Sequence, residues 1–238
     1  MSLFNIGVRA LQTNQVVLQT TGHNIANVNT PGYSRQTVAL QNLPGQFTGS
    51  GFIGQGVEVQ AIVRNQSDML TRQATAAAAV SAADSARAQS LQRLQDVFSG
   101  GDSGLGAAIN DMMNALSDVA SAPTDLAART VALTRMDETA TRMRSASDQL
   151  DQIASGVRSD LDTGVKTVND LASQIARLNA QIVRAQSTGK APNDLLDQRD
   201  QAIRNLNQYV QTTQVPADDG SLGVFVGNQP LVLGTTAA

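Results

Sequence analysis

The sequence predicts a mainly α-helical protein, an elongated antiparallel bundle with one long central helix. An N-terminal helix and an extended loop region are predicted before the bundle, and the start of a β-domain after it. Three observations predict this fold class. Apolar residues recur at heptad spacing over most of the chain, proline is absent between Thr124 and Ala191, and short runs separated by glycine replace this pattern after Val215. Such periodicities are the primary signal of secondary structure.

The N-terminal segment is predicted to form an amphipathic helix from residue 2 to about residue 27. Its apolar positions recur every seven residues, at Phe4, Leu11, Leu18 and Ile25. The half-heptad positions, such as Gly7, are small or polar, so a lone coiled-coil dimer would be poor. The stripe instead predicts a helix that packs against several neighbours.

The turn after this helix is marked by proline and glycine. The residue before Pro31 is displaced from the helical region, and Gly32 supplies a positive φ. Asn24, Asn27 and Asn29 are therefore interpreted as helix-terminating residues whose side chains bond to local backbone, in preference to polar ligands.

Residues 34–66 are predicted to be extended. Gln36–Leu40 and Val57–Val63 alternate between apolar and polar residues, as half-buried strands do. Gly45–Gly56, between them, is rich in glycine and predicts a flexible loop. Because a single short helix is marginal in water, we expect residues 1–66 to be disordered or loosely docked in the isolated subunit.

The region from about residue 67 to residue 211 is predicted to be helical. Its first helix stops at Gly100–Gly101, and Asp102 or Ser103 is the predicted cap of the second. The apolar residues along these two helices are Val80, Leu91, Leu94 and Phe98, then Leu105, Ile109, Met112, Leu116 and Val119.

A long helix is predicted after Pro123, with Thr124 as its N-cap and Gly189 as its stop. At about 1.5 Å per residue it would span roughly 90 Å. Its apolar seam comprises Leu133, Met136, Ala140, Met143, Leu150, Ile153, Val157, Leu161, Val168, Leu171, Ile175, Leu178 and Ile182. The methionines at this spacing, with Met112 and Met113, are interpreted as core residues.

A last helix is predicted to open at Pro192–Asn193 and to end before Val215–Pro216. Its apolar face comprises Leu196, Ile203, Leu206 and Val210. Arg199 falls in step with this face, so its stem is predicted to lie along the seam. Asp200 is placed to pair with Arg204 one turn later.

These segments predict three parts of the chain. Residues 1–66 form an N-terminal segment, residues 67–212 a helical rod domain, and residues 213–238 the beginning of an incomplete outer β-rich domain. The last part holds two predicted strands, Leu222–Val226 and Leu231–Leu233. A lone hairpin is marginal in water, so residues 213–238 are interpreted as the first piece of a β-domain whose remainder is absent.

The composition excludes several functional classes. There is no cysteine, which excludes disulfides, thiolate metal sites and cysteine nucleophiles, and His23 alone builds no multi-histidine site. A net charge of −3 without a basic run gives no footprint for nucleic acid. No apolar run reaches the roughly 18 residues of a membrane helix. No basic stretch followed by an apolar one marks a cleaved Sec signal, which alone favours a cytoplasmic address.

The remaining polar patterns also favour structure over chemistry. Asp197, Arg199 and Asp200 lie at a predicted helix start, where carboxylates favour the dipole. Gly100–Gly106 lacks the Lys-Ser/Thr of a phosphate loop, and Asp218–Gly220 lacks the ligand ladder of a calcium loop. The sequence therefore predicts no enzyme, no cofactor, no metal and no small-molecule substrate.

Two motifs carry a resemblance to a known family. Asn24–Gln36 resembles the signature near the N-terminus of flagellar axial proteins, which include rod, hook and hook-associated proteins. Asn193–Gln201 resembles a segment of the hook-associated proteins that join the hook to the filament. The Ser34–Gln36 tail is also similar to that group, whereas a lysine commonly follows the tyrosine in rod proteins.

The resemblance implies a secreted structural subunit of the flagellum, exported through the flagellar type III apparatus, whose N-terminal helix pairs with a C-terminal helix in the axial core of the tube. The implied partners are the hook protein, a second hook-associated protein, copies of itself in a helical ring, the export apparatus and an export chaperone. The assembly interface is then predicted to comprise Leu3, Phe4, Leu11, Leu18, Asn24, Ile25, Asn27, Pro31, Gly32 and Tyr33.

Two other interpretations stay open. A rod or hook protein shares the first motif, but the long helical domain and the second motif favour a hook-associated protein. A signalling coiled coil would share the heptad seam, but it would need a sensor or membrane segment.

Overall fold

The computed structural model describes residues 3–47, 49, 51–98, 100–187 and 191–238, apart from the side chains of Leu3 and Asp102. The predicted fold class is confirmed in its mainly helical content, its long central helix and its small C-terminal β region. The chain divides into two compact units. One comprises the residues up to 80 together with 167–238, and the other comprises residues 81–166.

Five α-helices account for most of the described residues. They are α1 (Leu3–Ala26), α2 (Asp68–Phe98), α3 (Leu105–Ser121), α4 (Leu126–Gln186) and α5 (Asn193–Leu206). The 61 residues of α4 run through Gly156 and Gly164 without a break. Among the residues described, none of the helices is both long and apolar enough to cross a membrane.

The starts of α3 and α4 differ from the predicted caps. Asp125 caps α4, because its Oδ1 accepts the Ala127 N–H at 2.8 Å, so the prediction of Thr124 was wrong. Gly104 is the N-cap residue of α3, and Ser103 instead donates its hydroxyl to a carbonyl of the preceding 3₁₀ turn. The predicted stop at Gly189 lies outside the described residues.

The end of α5 comes earlier than predicted. Asn207 closes the helix by donating its Nδ2 to the Ile203 carbonyl and to Thr212 Oγ1, both at 2.8 Å. Its Oδ1 accepts the Thr212 N–H at 3.0 Å. The chain therefore leaves the helix at Leu206 and forms a turn over residues 207–210, where the sequence pattern predicted that the helix continues.

A four-stranded antiparallel sheet follows α5 in sequence order. Its strands are β5 (Thr213–Pro216), β6 (Leu222–Val226), β7 (Gln229–Leu233) and β8 (Thr236–Ala237). The predicted hairpin corresponds to β6 and β7, and two further strands flank it. The sheet packs on α4 and α5 through an apolar core that contains Ile175, Ile203, Leu206, Val224 and Val232.

A buried polar cluster fastens this sheet to the helices. Asn179, which is fully buried, donates to the carbonyls of Leu222 and Gly234 at 2.9 and 2.6 Å and accepts the Leu222 N–H at 3.2 Å. Arg199 is buried, as its position in the seam predicts, and donates to Asn179 Oδ1 at 3.1 Å and to the Gly220 carbonyl at 2.9 Å. Burial lowers the pKa of Arg199.

Replacing Asn179 by Leu is expected to destabilise the chain by about 2–3 kcal/mol, because each buried polar group left without its partner costs about 1–3 kcal/mol. Urea unfolding at fixed pH measures the loss. Asn169→Leu on the exposed side of the same helix is the matched control and should change stability little. Equal effects of the two substitutions would contradict a stabilising role of the buried polar cluster.

In the unit of residues 81–166, small side chains make the close contacts of α3 with α4. Thr139 is buried and donates to the Ala108 carbonyl at 3.0 Å, and Ala115 is buried too. Because α3 and α4 approach each other through small side chains, longer side chains lie at the edge of their contact. The predicted core methionines Met113, Met136 and Met143 are 57%, 38% and 49% exposed, so the interpretation as core was wrong for them in this chain.

Candidate assembly surface

A long β-hairpin lies along α1. β1 (Gln36–Asn42) pairs antiparallel with β4 (Val57–Arg64), which confirms the predicted extended runs. Nearer the tip, β2 (Gln46–Phe47) pairs with β3 (Phe52–Ile53) inside the stretch that was predicted to be a loop.

The most buried residues of α1, which packs on β1 and β4, are polar and lie outside its heptad of apolar positions. Thr13 and Thr20, one heptad apart, are 6% and 8% exposed against the ladder. Leu11, Leu18 and Ile25 on the same helix are instead 72%, 71% and 69% exposed. Contiguous exposed apolar surface of this kind marks interaction sites. We call the set Phe4, Leu11, Leu18 and Ile25 the α1 stripe.

The turn after α1 is held by Asn24. Its Oδ1 accepts the Gln36 N–H at 2.8 Å and the Tyr33 hydroxyl at 2.7 Å, and its Nδ2 donates to the Gln36 carbonyl at 2.8 Å. Asn27 donates to the His23 carbonyl at 3.0 Å. These bonds agree with the predicted local roles of both asparagines. Burial, with the nearby Asp194 and Asp197 carboxylates, raises the pKa of Tyr33, so the hydroxyl keeps the proton that it donates.

The hairpin is fastened to α5 by an ionic cluster, which we call the latch. Arg64 Nη1 lies 2.9 Å from Asp197 Oδ1 and 2.7 Å from Asp200 Oδ2, and all three side chains are at most 16% exposed. Asp197 Oδ2 also accepts the Ser34 N–H at 2.9 Å. Burial opposes the charge of Arg64, but its hydrogen bonds to Asp200 and Asp197 outweigh this and raise its pKa.

The latch brings together the two motifs that carried the resemblance. Gln36 Nε2 donates to Asp194 Oδ1 at 3.2 Å, and Asn193 Nδ2 donates to Gln36 Oε1 at 3.3 Å. Gly32, with φ of +85°, approaches α5 so closely that a Cβ would lie 2.7 Å from Gln201 Oε1. The second motif is therefore the docking site for the turn that the first motif forms.

The structure separates the predicted interface residues into two groups. The residues of the α1 stripe are exposed, whereas Asn24, Gly32 and Tyr33 contact other parts of the same chain. Pro31 is exposed and Asn27 is half-buried; the side chain of Leu3 lies outside the described residues. Sequence reasoning missed Arg64 as a functional residue, and the predicted pair of Asp200 with Arg204 is wrong because Asp200 contacts Arg64.

Hydrogen exchange of the isolated chain should distinguish α1 from the hairpin. The hairpin is tied to α5 through buried ionic bonds, so amides of β1 and β4 are expected to be protected. The α1 helix leaves its apolar face exposed, so residues 3–20 are expected to exchange faster than α5. Mass spectrometry of exchange checks both. Strong protection across residues 3–25 would contradict the expectation of a loosely docked α1.

Within the ranges given above, no three histidine, aspartate or glutamate side chains group as metal ligands would. His23 Nε2 lies 3.5 Å from Asp194 Oδ1, and its ring meets Tyr33 edge-on at 5.5 Å, so it belongs to the turn.

Two models of protein families match most of the chain, and relatives match over nearly its full length. Residues 91–238 match the model of the flagellar hook-associated protein FlgK helical domain, and residues 4–33 match the model of the flagella basal body rod protein. Flagellar hook-associated protein 1 of Escherichia coli strain K12 is 30% identical over 239 residues, which cover 99% of this chain and 44% of that protein. Its namesake in Bacillus subtilis strain 168 is 31% identical over 210 residues, which cover 85% of this chain and 41% of that protein.

A solved structure agrees with these relatives. The flagellar hook junction protein FlgK from Burkholderia pseudomallei aligns with a TM-score of 0.64 and 33% sequence identity, over 70% of this chain and 29% of that one. The chain thus spans less than half the length of the relatives it matches. Because the helical-domain model covers more than half of the chain, and the relatives share one name, the chain belongs to the family of flagellar hook-associated protein FlgK.

Proposed function

We propose that this chain is the N-terminal part of a structural subunit of the bacterial flagellum that joins the hook to the filament. It acts by packing its terminal helix against neighbouring axial subunits, without catalysis. The observation that carries the proposal is the exposure of Leu11, Leu18 and Ile25, which α1 leaves largely uncovered. An apolar stripe stabilises a helix only when another surface covers it, so this stripe favours burial against a partner chain.

The partners follow from the same role. The α1 stripe is offered to copies of the same protein, to the hook protein on one side and to a second hook-associated protein on the other. The subunit is secreted by the flagellar export apparatus, with a chaperone, and works outside the cell. The latch supports this role because it holds the turn and the hairpin in a fixed position relative to α5.

A rod or hook protein is the second candidate, and the match of residues 4–33 to the rod-protein model favours it. The match of residues 91–238 to the helical domain of the hook-associated protein favours the junction. The match of residues 4–33 therefore supports an axial role in general, and the match of residues 91–238 supports a place at the hook–filament junction.

Deletion of the gene is the experiment that separates these candidates. We expect cells with complete hooks, no filaments, and flagellin in the medium, with filaments restored by the full-length gene. Electron microscopy of purified flagellar bases, with immunoblotting of the medium, gives the result. Loss of the hook itself would favour a rod or hook protein, and normal filaments would refute the junction role.

A further inference from the structure

The tip of the β-hairpin carries an exposed aromatic knob. Phe47 and Phe52 lie on β2 and β3 with ring centroids 5.3 Å apart, and they are 62% and 78% exposed. Ile53 beside them is 57% exposed. Residues 43–56 contain no charged side chain. We call Phe47, Phe52 and Ile53 the finger.

An open groove of about 800 Å³ lies between α1 and β1. Its apolar lining includes Val17, Ile25, Val28 and Val38, and Arg35 is its one charged lining residue. Ile25 and Val28 are 69% and 74% exposed, so the chain itself leaves this lining open. The groove thus offers an apolar cleft with little charge to desolvate, which matches the uncharged finger in chemistry.

The finger and the groove lie at opposite ends of α1. Ile6, near the start of the helix, lines a small cavity with Gln46 and Ile53, so the finger sits at that end. The groove begins only at Val17 and continues beyond Ile25. The 15 residues from position 6 to position 21 correspond to roughly 22 Å along the helix. A finger therefore cannot enter the groove of its own chain.

We propose that the finger of one copy inserts into the groove of the next copy. Knob and socket are two different patches of the same chain, so the contact is heterologous and generates a ring or a helical array. The inference rests on the proposed function and adds a second contact to it, continuous with the α1 stripe at Ile25. The occupant of the groove is a second copy of this chain, and a different axial protein in that place is an outcome of the test below.

Site-directed cross-linking tests the contact cleanly because the chain has no cysteine. Phe52→Cys and Val28→Cys are combined in the full-length protein, expressed in the deletion strain, and isolated flagella are treated with a short thiol-to-thiol cross-linker. We expect a ladder of dimers and larger multimers. The matched control combines Phe52→Cys with Gln19→Cys, which is exposed at the level of the groove on another face of α1, and should give no ladder.

A second pair, Phe47→Cys with Val38→Cys, samples the other lip of the groove and is expected to give the same ladder. A Phe47→Ser, Phe52→Ser variant is expected to be secreted but lost from purified junctions. Filaments with normal amounts of this protein but no ladder from either pair would overturn the inference, and so would equal ladders from the control. Cross-links to a different flagellar protein alone would overturn it as well. In each of these cases the junction role stands, because the deletion strain tests it separately.

Discussion

Replacing Arg64 by Met is expected to release the hairpin from α5. The substitution keeps most of the aliphatic stem but leaves Asp197 and Asp200, 8% and 16% exposed, without their cation. Removing one partner of a buried ion pair costs about 3–5 kcal/mol. We therefore expect exchange protection to fall sharply in β1 and β4 while the α4–α5 core stays protected, since the core does not include the latch.

Two controls make this result specific. Arg35→Met removes an exposed arginine next to the same strand and is expected to leave protection unchanged. Adding Asp197→Asn and Asp200→Asn to Arg64→Met removes the unpaired carboxylates, and we expect part of the loss to be recovered because the uncompensated charges are gone. If Arg64→Met left the hairpin as protected as before, the latch would not be what holds it.

The helices were predictable because their signal is local. The seam of α4 repeats over 61 residues without proline, and no tertiary contact is needed to see it. The end of α5 was not predictable in the same way. Val210 continues the apolar period, but the side chain of Asn207 takes the helix carbonyl of Ile203 and closes the turn. Sequence periodicity does not show whether a polar side chain will bond to a helix carbonyl and end the helix there.

The latch was beyond sequence reasoning because its partners are distant in the chain. Asp200 has an arginine four residues later, and helix spacing favours that pair. In the structure, Asp200 accepts a hydrogen bond from Arg64, which lies 136 positions away in the chain. Arg204 instead contacts Gln201 at 3.0 Å. A buried position favours the partner that brings several hydrogen bonds at once, and only the folded chain shows which partner that is.

The α1 stripe was predicted as a set of positions that pack against neighbours, but the polar residues that α1 buries against the hairpin were not predicted. A polar or small face of a helix is ordinarily the solvent face. Here Thr13 and Thr20 pack on the ladder, and Leu11 and Leu18 face outward. Buried threonines and exposed leucines are expected of a helix whose apolar face binds other chains. This arrangement gives the strongest prediction about function.

The double substitution Leu11→Asp with Leu18→Asp is expected to abolish filaments while leaving the subunit folded. Both leucines are more than 70% exposed in the free chain, so the new carboxylates stay hydrated there and stability should change by no more than about 0.5 kcal/mol. In the assembled tube, the same carboxylates would be buried without a partner. This costs more than the roughly 2–7 kcal/mol of burying an unpaired neutral polar group, and the cost recurs at every subunit. The readouts are filament count by electron microscopy and flagellin shed into the medium.

Gln12→Asp with Gln19→Asp is the control for the added charge and for an effect on export. It places each substitution one residue further along the helix. This pair adds the same charge to the same helix at exposed sites outside the stripe, so secretion and filaments are expected to stay near normal. Leu11→Ala with Leu18→Ala removes apolar area without charge and should give an intermediate filament count, because each truncation of a buried leucine costs about 2–5 kcal/mol. The decisive comparison is the secreted amount of each variant against its filament count. Normal filaments with Leu11→Asp and Leu18→Asp combined would show that the α1 stripe is not the assembly surface. If Gln12→Asp with Gln19→Asp also abolished filaments, the effect would be assigned to charge.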